Sequence, residues 1–202
     1  VKKLILASLA AMAMVGILYA AGEIIPVYIK ADSTTAGAVN GTTVAATQSY
    51  GEVHKTVVTC TDTPATITYG GSGTNSVGGV KVYDMPEGRI LVLGVTVKDM
   101  TVIPVAANGF SVTDGGDFSL GTTVAAGAAL ETTGVDLCPA TSIDAVTNVT
   151  SAALAASAQF DGTTTAKDVY VNFLVDADDV TNNATLTFSA TTEITWINLG
   201  DY

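Results

Sequence analysis

After residue 30, no stretch of this chain repeats its apolar residues at the 3.6-residue spacing of a helix. They recur instead at every second position, in short runs bounded by Gly, Asn, Asp and Pro, which is the period of a pleated strand. Residues 168–175 (DVYVNFLV) are the cleanest case: Val169, Val171, Phe173 and Val175 point one way, Tyr170 and Asn172 the other. Residues 89–98 (RILVLGVTVK) read as the strongest strand. Leu91, Leu93, Val95 and Val97 share one face, and Ile90 and Val92 make the other face apolar too, as in a central strand buried on both sides. Further strands are expected at residues 55–60 and 65–69, joined by a turn at 62–64, and at 80–84, 101–105, 109–113, 117–124, 184–190 and 193–199. Residues 70–79 (GGSGTNSVGG) read as a flexible loop and 84–88 as a turn. Residues 124–158 show no clear element, although 150–158 fit one or two helical turns. Nine to eleven short strands make the fold class all-β, a jelly-roll-like β-sandwich.

Composition agrees with that architecture and removes others. The 202 residues include 31 Thr, 25 Val and 20 Gly, and only 13% are charged. That balance excludes a disordered chain, a coiled coil and a Lys/Glu-rich bundle. One His and two Cys exclude a zinc finger and a disulfide-dense miniprotein. The net charge is −11, unevenly spread: residues 1–30 carry +2, while residues 31–202 hold five cations against 18 acids. A surface of that sign repels phosphates, so nucleic acid is not a partner. The acids keep a sparsely charged β protein soluble.

Residues 1–30 form a hydrophobic N-terminal segment. Lys2 and Lys3 precede eighteen uncharged residues, 4–21. As a helix these would span about 27 Å, just short of a bilayer core. The segment fits a cleaved secretory signal, a retained anchor with residues 4–21 in contact with a membrane, or an arm buried between subunits. Residues 31–54, rich in Gly, Thr and Ala, read as a linker or extended arm, and residues 55–202 as the sandwich domain. GTTVAA occurs at 41–46 and again at 121–126 without flanking similarity, which in so Thr- and Ala-rich a chain reads as coincidence.

No catalytic constellation emerges, and the chain reads as a non-enzyme. His54, the single histidine, reads as a solvated residue at the linker edge, and no Ser sits in G-x-S-x-G. The glycine-rich loop fits no phosphate-binding motif. Asp176, Asp178 and Asp179 follow a strand, and Asp114 and Asp117 bracket a Gly pair. Acidic turns are routine, but loop carboxylates also suit Ca²⁺, and Asp176, Asp178 and Asp179 are the first place to look for it. No other cofactor is called for. Cys60 and Cys138 permit one disulfide or two buried free thiols, and sequence leaves both open. Sequons at Asn40, Asn148 and Asn183 carry no weight in a Thr-rich chain.

The Val/Thr/Gly-rich body, with residues 77–97 (VGGVKVYDMPEGRILVLGVTV) and the closing residues 194–202 (ITWINLGDY), resembles the small β-sandwich virion proteins of tailed bacteriophages, the head decoration and head-fibre type. The similar part is residues 56–202. The resemblance implies a jelly roll seated on the major capsid protein, often as a homo-oligomer such as a trimer. Its role would be to stabilise the shell or adhere to a host, with no catalytic residues. The hydrophobic N-terminus departs from that pattern. The competing class is a secreted or surface-anchored subunit of an extracellular filament, sheath or S-layer. Such subunits polymerise by lending a strand to a neighbour, and residues 31–50 are the candidate donor. A carbohydrate-binding module would need an aromatic platform from Tyr69, Tyr83, Tyr170 and Trp196. Trp196 alternates with Ile194 on a core face, which ranks that class last.

Overall fold

The computed structural model describes residues 44–49, 53–104, 116–143, 159–162, 167–177 and 179–199, all within one compact unit, Asp32–Tyr202. The other unit, Val1–Ala31, and the readings placed on it lie outside the described residues, as do those on residues 109–113 and 150–158. Among the described residues nine strands form one continuous antiparallel sheet. They are β1 (Val44–Ser49), β2 (His54–Thr68), β3 (Ser76–Asp84), β4 (Gly88–Pro104), β5 (Gly116–Gly121), β6 (Cys138–Ser142), β7 (Gln159–Gly162), β8 (Asp168–Val175) and β9 (Ala184–Asn198). Their spatial order is β6-β5-β8-β3-β2-β9-β4-β7, with β1 paired to β2 off that path. Over the described residues the fold is all-β, a jelly-roll-like sandwich in which this sheet is nearly closed into a barrel.

Three long strands do the folding-over. β9 alternates without a break: Ala184, Leu186, Phe188, Ala190, Thr192, Ile194 and Trp196 are buried, and the residues between them are not. β2 and β4 flank it and both bulge. β2 gains one residue between Cys60 and Thr63, so burial passes from Thr56, Val58 and Cys60 to Thr63, Ala65 and Ile67. At that bulge Asp62 takes φ +47°, and its N–H donates to Ser189 Oγ at 2.9 Å. β4 bulges twice, between Val92 and Gly94 and between Lys98 and Thr101, with Asp99 at φ +53°. Bulges at matching levels on both sides of β9 bend and twist the sheet, which is how one sheet comes to make two layers. The N-terminal part of β2 carries β1 on its outer edge (Ser49 opposite Lys55), while its C-terminal part carries β3 there (Thr66 opposite Gly79).

Several sequence expectations are corrected by this register. The pairs 55–60 with 65–69, 89–98 with 101–105, and 184–190 with 193–199 are each one strand. The turn at 62–64 is a bulge. β4 does not bury two faces, because the extra residue at Leu93–Gly94 inverts its phase. Ile90, Val92, Val95 and Val97 therefore all face the core, Leu91 is half-buried, and Leu93 is 43% exposed. Residues 44–49, assigned to the linker, are β1, with Val44 in the core. The glycine-rich loop is shorter than expected, since Gly78 and Gly79 belong to β3. The two GTTVAA copies differ in structure: Val44 is 4% exposed on a strand and Val124 is 47% exposed in a loop.

The core is large and mostly aliphatic, with a few rings. Phe173 and Phe188 meet at 5.1 Å and a 58° tilt, and Trp196, Tyr83, Phe118, Ile67, Met85 and Leu186 are fully buried beside them. Each such side chain stabilises the fold by about 1.5–3 kcal/mol. Trp196 donates its indole N–H to Thr56 Oγ1 at 3.0 Å, so its one polar atom is satisfied inside the core.

Candidate interaction faces

The residues singled out as chemical candidates are mostly structural. His54 is not a solvated linker residue. It opens β2 opposite Trp196 and stacks on its ring at 4.3 Å and 13°, and burial holds its pKa below the usual histidine value. Cys60 on β2 and Cys138 on β6 are buried and free, so the disulfide that sequence permitted is not made. Burial pushes both thiols up to about 11, so neither is a thiolate nucleophile near neutrality.

Asp176 and Asp179 close a turn after β8, where the Asp179 N–H donates to the Asp176 carbonyl at 3.3 Å. Asp178 and Asp114 lie outside the described residues, and Asp117 is half-buried on β5. Among the described residues no group of three His, Cys, Asp or Glu side chains is placed to hold a metal ion. Of the aromatic platform, Trp196 and Tyr83 are core residues, which leaves Tyr69 and Tyr170 half-buried at separate places. Asn183 accepts the Tyr69 N–H at 2.9 Å. Among the described residues no helix is long and apolar enough to cross a membrane.

Three arrangements were not visible in the sequence. The first is a loop, residues 122–137, laid over the outward side of β8. Asn172, on the face of β8 opposite Val171 and Phe173 as its alternation predicts, is fully buried by this loop. Its Oδ1 accepts the Ala125 N–H at 2.9 Å, and its Nδ2 donates to the Thr123 and Gly134 carbonyls, both at 3.0 Å. Ser119 donates to the Gly134 carbonyl at 2.8 Å. Asp136 accepts from the Thr122 N–H at 2.8 Å and its hydroxyl at 2.6 Å. Burial pushes the Asp136 carboxyl up, and those two bonds oppose the shift. Gly79, opposite Asn172, has no substitute here, because a Cβ on it would lie 2.3 Å from Asn172 Oδ1. The loop overhangs a shallow cleft of about 390 Å³ lined by Thr66, Tyr69, Gly78, Gly79, Val124 and Ala125, among others.

The second is an ion cluster at the β3–β8 end. Asp84 and Asp168 stand directly opposite in register, and Lys81 bridges them, contacting Asp84 Oδ1 and Asp168 Oδ1, the latter at 3.0 Å. The Tyr170 hydroxyl donates to Asp168 at 3.1 Å. Desolvation and the neighbouring Asp168 push Asp84 up. Asp168, although also desolvated, is held down by hydrogen bonds from Asp84, Lys81 and Tyr170. Two carboxylates sharing one ammonium tie the two strands together.

The third lies on the outward face of β2, β9 and β4. Lys55 and Lys98 grip Glu193 from either side, at 3.0 and 2.9 Å, across three strands. Hydrogen bonds from Lys98 and then Lys55 hold the Glu193 carboxyl below its usual value. Beside this row lie Leu91, opposite Ile197, and the exposed Leu93. Exposed Val53 precedes β2, and exposed Leu199 is tied to β4 by its N–H to the Arg89 carbonyl at 2.8 Å. This sheet face offers apolar area with charges at fixed places. Compared with models of protein families, with curated proteins and with solved structures, the chain shows no match.

Proposed function

We propose that this chain is a non-enzymatic structural subunit of a virus particle, a capsid decoration or minor capsid protein that stabilises the shell and presents an outer surface for host adhesion. The observation that carries the reading is the jelly-roll-like sandwich itself, the architecture that the resemblance in residues 77–97 and 194–202 implies. Those stretches fall on β3, β4 and β9, in the body of the sheet. The buried thiols and the core-stacked histidine support a packing role for residues that would carry chemistry in an enzyme.

A second reading, a filament or sheath subunit that assembles by strand donation, is favoured by β1. This strand falls within the stretch read as a donor arm, and it pairs with the edge of β2 through six residues. An edge that accepts β1 from its own chain has the hydrogen-bonding pattern to accept it from another.

The test is to recover the protein from its native source and measure its copy number in purified particles and its intact mass. Stoichiometric presence in virions with residues 1–30 retained is the expected result. Removal of the N-terminal segment and recovery from extracellular filaments would replace the first reading with the second. A stable soluble monomer with protease-sensitive residues 1–30 would overturn both.

A further inference from the structure

We propose that the cleft between β2, β3 and the loop 122–137 binds a short neutral saccharide. The proposal rests on the adhesion part of the reading above and names the class of ligand that the outer surface takes.

The cleft is a gap in one row of the sheet. Thr66 on β2, Gly79 on β3 and Asn172 on β8 stand side by side in register on the outward side. Thr66 is exposed, Asn172 is covered by the loop, and Gly79 between them carries no side chain. The opening of about 390 Å³ lies there, with Thr68, Tyr69 and Val124 also in its lining. Two costly choices keep it. Glycine weakens a strand interior, and a strand glycine often marks the place where a ligand comes close. Asn172 puts a fully buried polar side chain where an apolar one would pack, and directs its three bonds to Thr123, Ala125 and Gly134. No side chain of residues 122–127 is buried, so this stretch is fixed for its position rather than for core packing. The opposite wall is pinned in the same manner. Asn183 accepts the Tyr69 N–H at 2.9 Å, and buried Ser76 accepts the Gly70 N–H at 3.1 Å. A site whose walls are set before the ligand arrives loses less entropy on binding.

The lining selects the ligand. All ten residues around the cleft are uncharged, in a chain of net charge −11, so an ionic ligand meets no counter-charge there. Lys81, the next outward residue of β3, is held by Asp84 and Asp168. A peptide strand has no edge to join, because β2 is paired at Thr66 with Gly79 and Thr185, and β3 at Gly79 with Thr66 and Asn172. The volume lies at the small end of the roughly 300–1,000 Å³ of small-molecule sites, too little for a folded partner. What fits is a small uncharged ligand with an apolar face and hydroxyls around it. The glycine floor with Val124 beside it meets the C–H face of a sugar ring, and the exposed Thr66 and Thr68 hydroxyls meet its edge.

The test is saturation-transfer NMR on the purified full chain with lactose, maltose and N,N′-diacetylchitobiose, with digalacturonate as the charged comparison and indole as the apolar one. Expected is transfer to at least one of the neutral sugars, stronger than to digalacturonate or indole. Thr66→Phe lays a ring over Gly79 from the neighbouring strand, an exchange that sheets tolerate well. It should leave the melting temperature unchanged or raised and weaken sugar binding by about tenfold or more. Thr66→Val keeps the β-branched shape, removes one hydroxyl and should weaken binding by about threefold; it decides the matter should Thr66→Phe melt early. Sugar binding that both variants leave unchanged overturns the site. Transfer only to indole, only to digalacturonate or to none of the probes overturns the ligand class. A chain that binds neutral sugar through Thr66 but is found in neither virions nor filaments keeps the site and overturns the structural-subunit reading. A chain stoichiometric in virions that binds no sugar does the reverse.

Discussion

The β2–β9–β4 seam and the loop over β8 are held in opposite ways. Along the seam, every second residue of β9 enters an apolar core, and the indole nitrogen of Trp196 is satisfied by Thr56. Over β8, Leu137 is the one large side chain of the loop that enters the core, and the rest of the loop is fastened by Asn172, Ser119 and Asp136 through directional bonds to its backbone and hydroxyls. Apolar burial tolerates modest shifts, since its energy follows area. A hydrogen-bonded clasp does not, since a buried donor left without its acceptor costs more than the bond contributed. The seam therefore sets global stability, and the loop has a local stability of its own.

The largest test of that contrast is Trp196→Ala. Removing a fully buried indole should destabilise the whole domain by about 3–5 kcal/mol, seen as one cooperative shift of the chemical denaturation midpoint. Two separated transitions would break the idea that the seam governs everything. Asn172→Leu comes next. It strands one N–H and removes a donor from two carbonyls, at a cost of about 2 kcal/mol. Amide exchange should quicken across residues 122–137 and stay slow on β9. Equal quickening in both regions would show that the clasp belongs to the global core.

How much of this was legible follows the same divide. The boundaries of β8 were legible in full, because Val169, Val171, Phe173 and Val175 alternate within eight residues and no neighbour interferes. The burial of Trp196 was legible from its alternation with Ile194. The bulges were not, because a bulge is a relation between two strands. Leu91, Leu93, Val95 and Val97 look like one face until pairing with β9 shows a residue too many at Leu93. That Asn172 lies opposite the Val169–Val175 face was legible, but what covers it comes from a loop some forty residues away whose sequence has no period. The Lys55–Glu193–Lys98 row needed the register of three strands far apart in sequence. Of the three residues named first for a metal, Asp176 and Asp179 lie in the described part and Asp178 does not.

Two smaller effects sharpen the picture of the seam. Burial lowers the His54 pKa, so the unfolded chain takes up the proton first as pH falls. The stability linked to His54 is complete above about pH 6.5 and declines as pH drops through the lowered folded value. Melting temperatures measured between about pH 8 and pH 5.5 should fall, and His54→Gln should flatten that slope. A slope unchanged in the variant would place the pH response elsewhere. Smallest is Asp99→Gly. Asp99 is exposed at φ +53°, where a Cβ is disfavoured, so glycine should stabilise by about 1 kcal/mol or less, read as a slight rise in melting temperature. A loss would mean that the Asp99 side chain helps to fix the bulge.

β9 is the latest of the nine strands in chain order, yet it lies between β2 and β4. Until it emerges from the ribosome, β4 with β7 has no strand joining it to the rest of the sheet, and two long edges stand unpaired. Every pairing of β9 with β2 or β4 spans more than eighty residues, a high contact order that slows folding and leaves the nascent chain in need of protection. Translation thus acts as a timer. The Lys55–Glu193–Lys98 row does not exist before β9 is in place, and a prematurely released fragment lacks that surface.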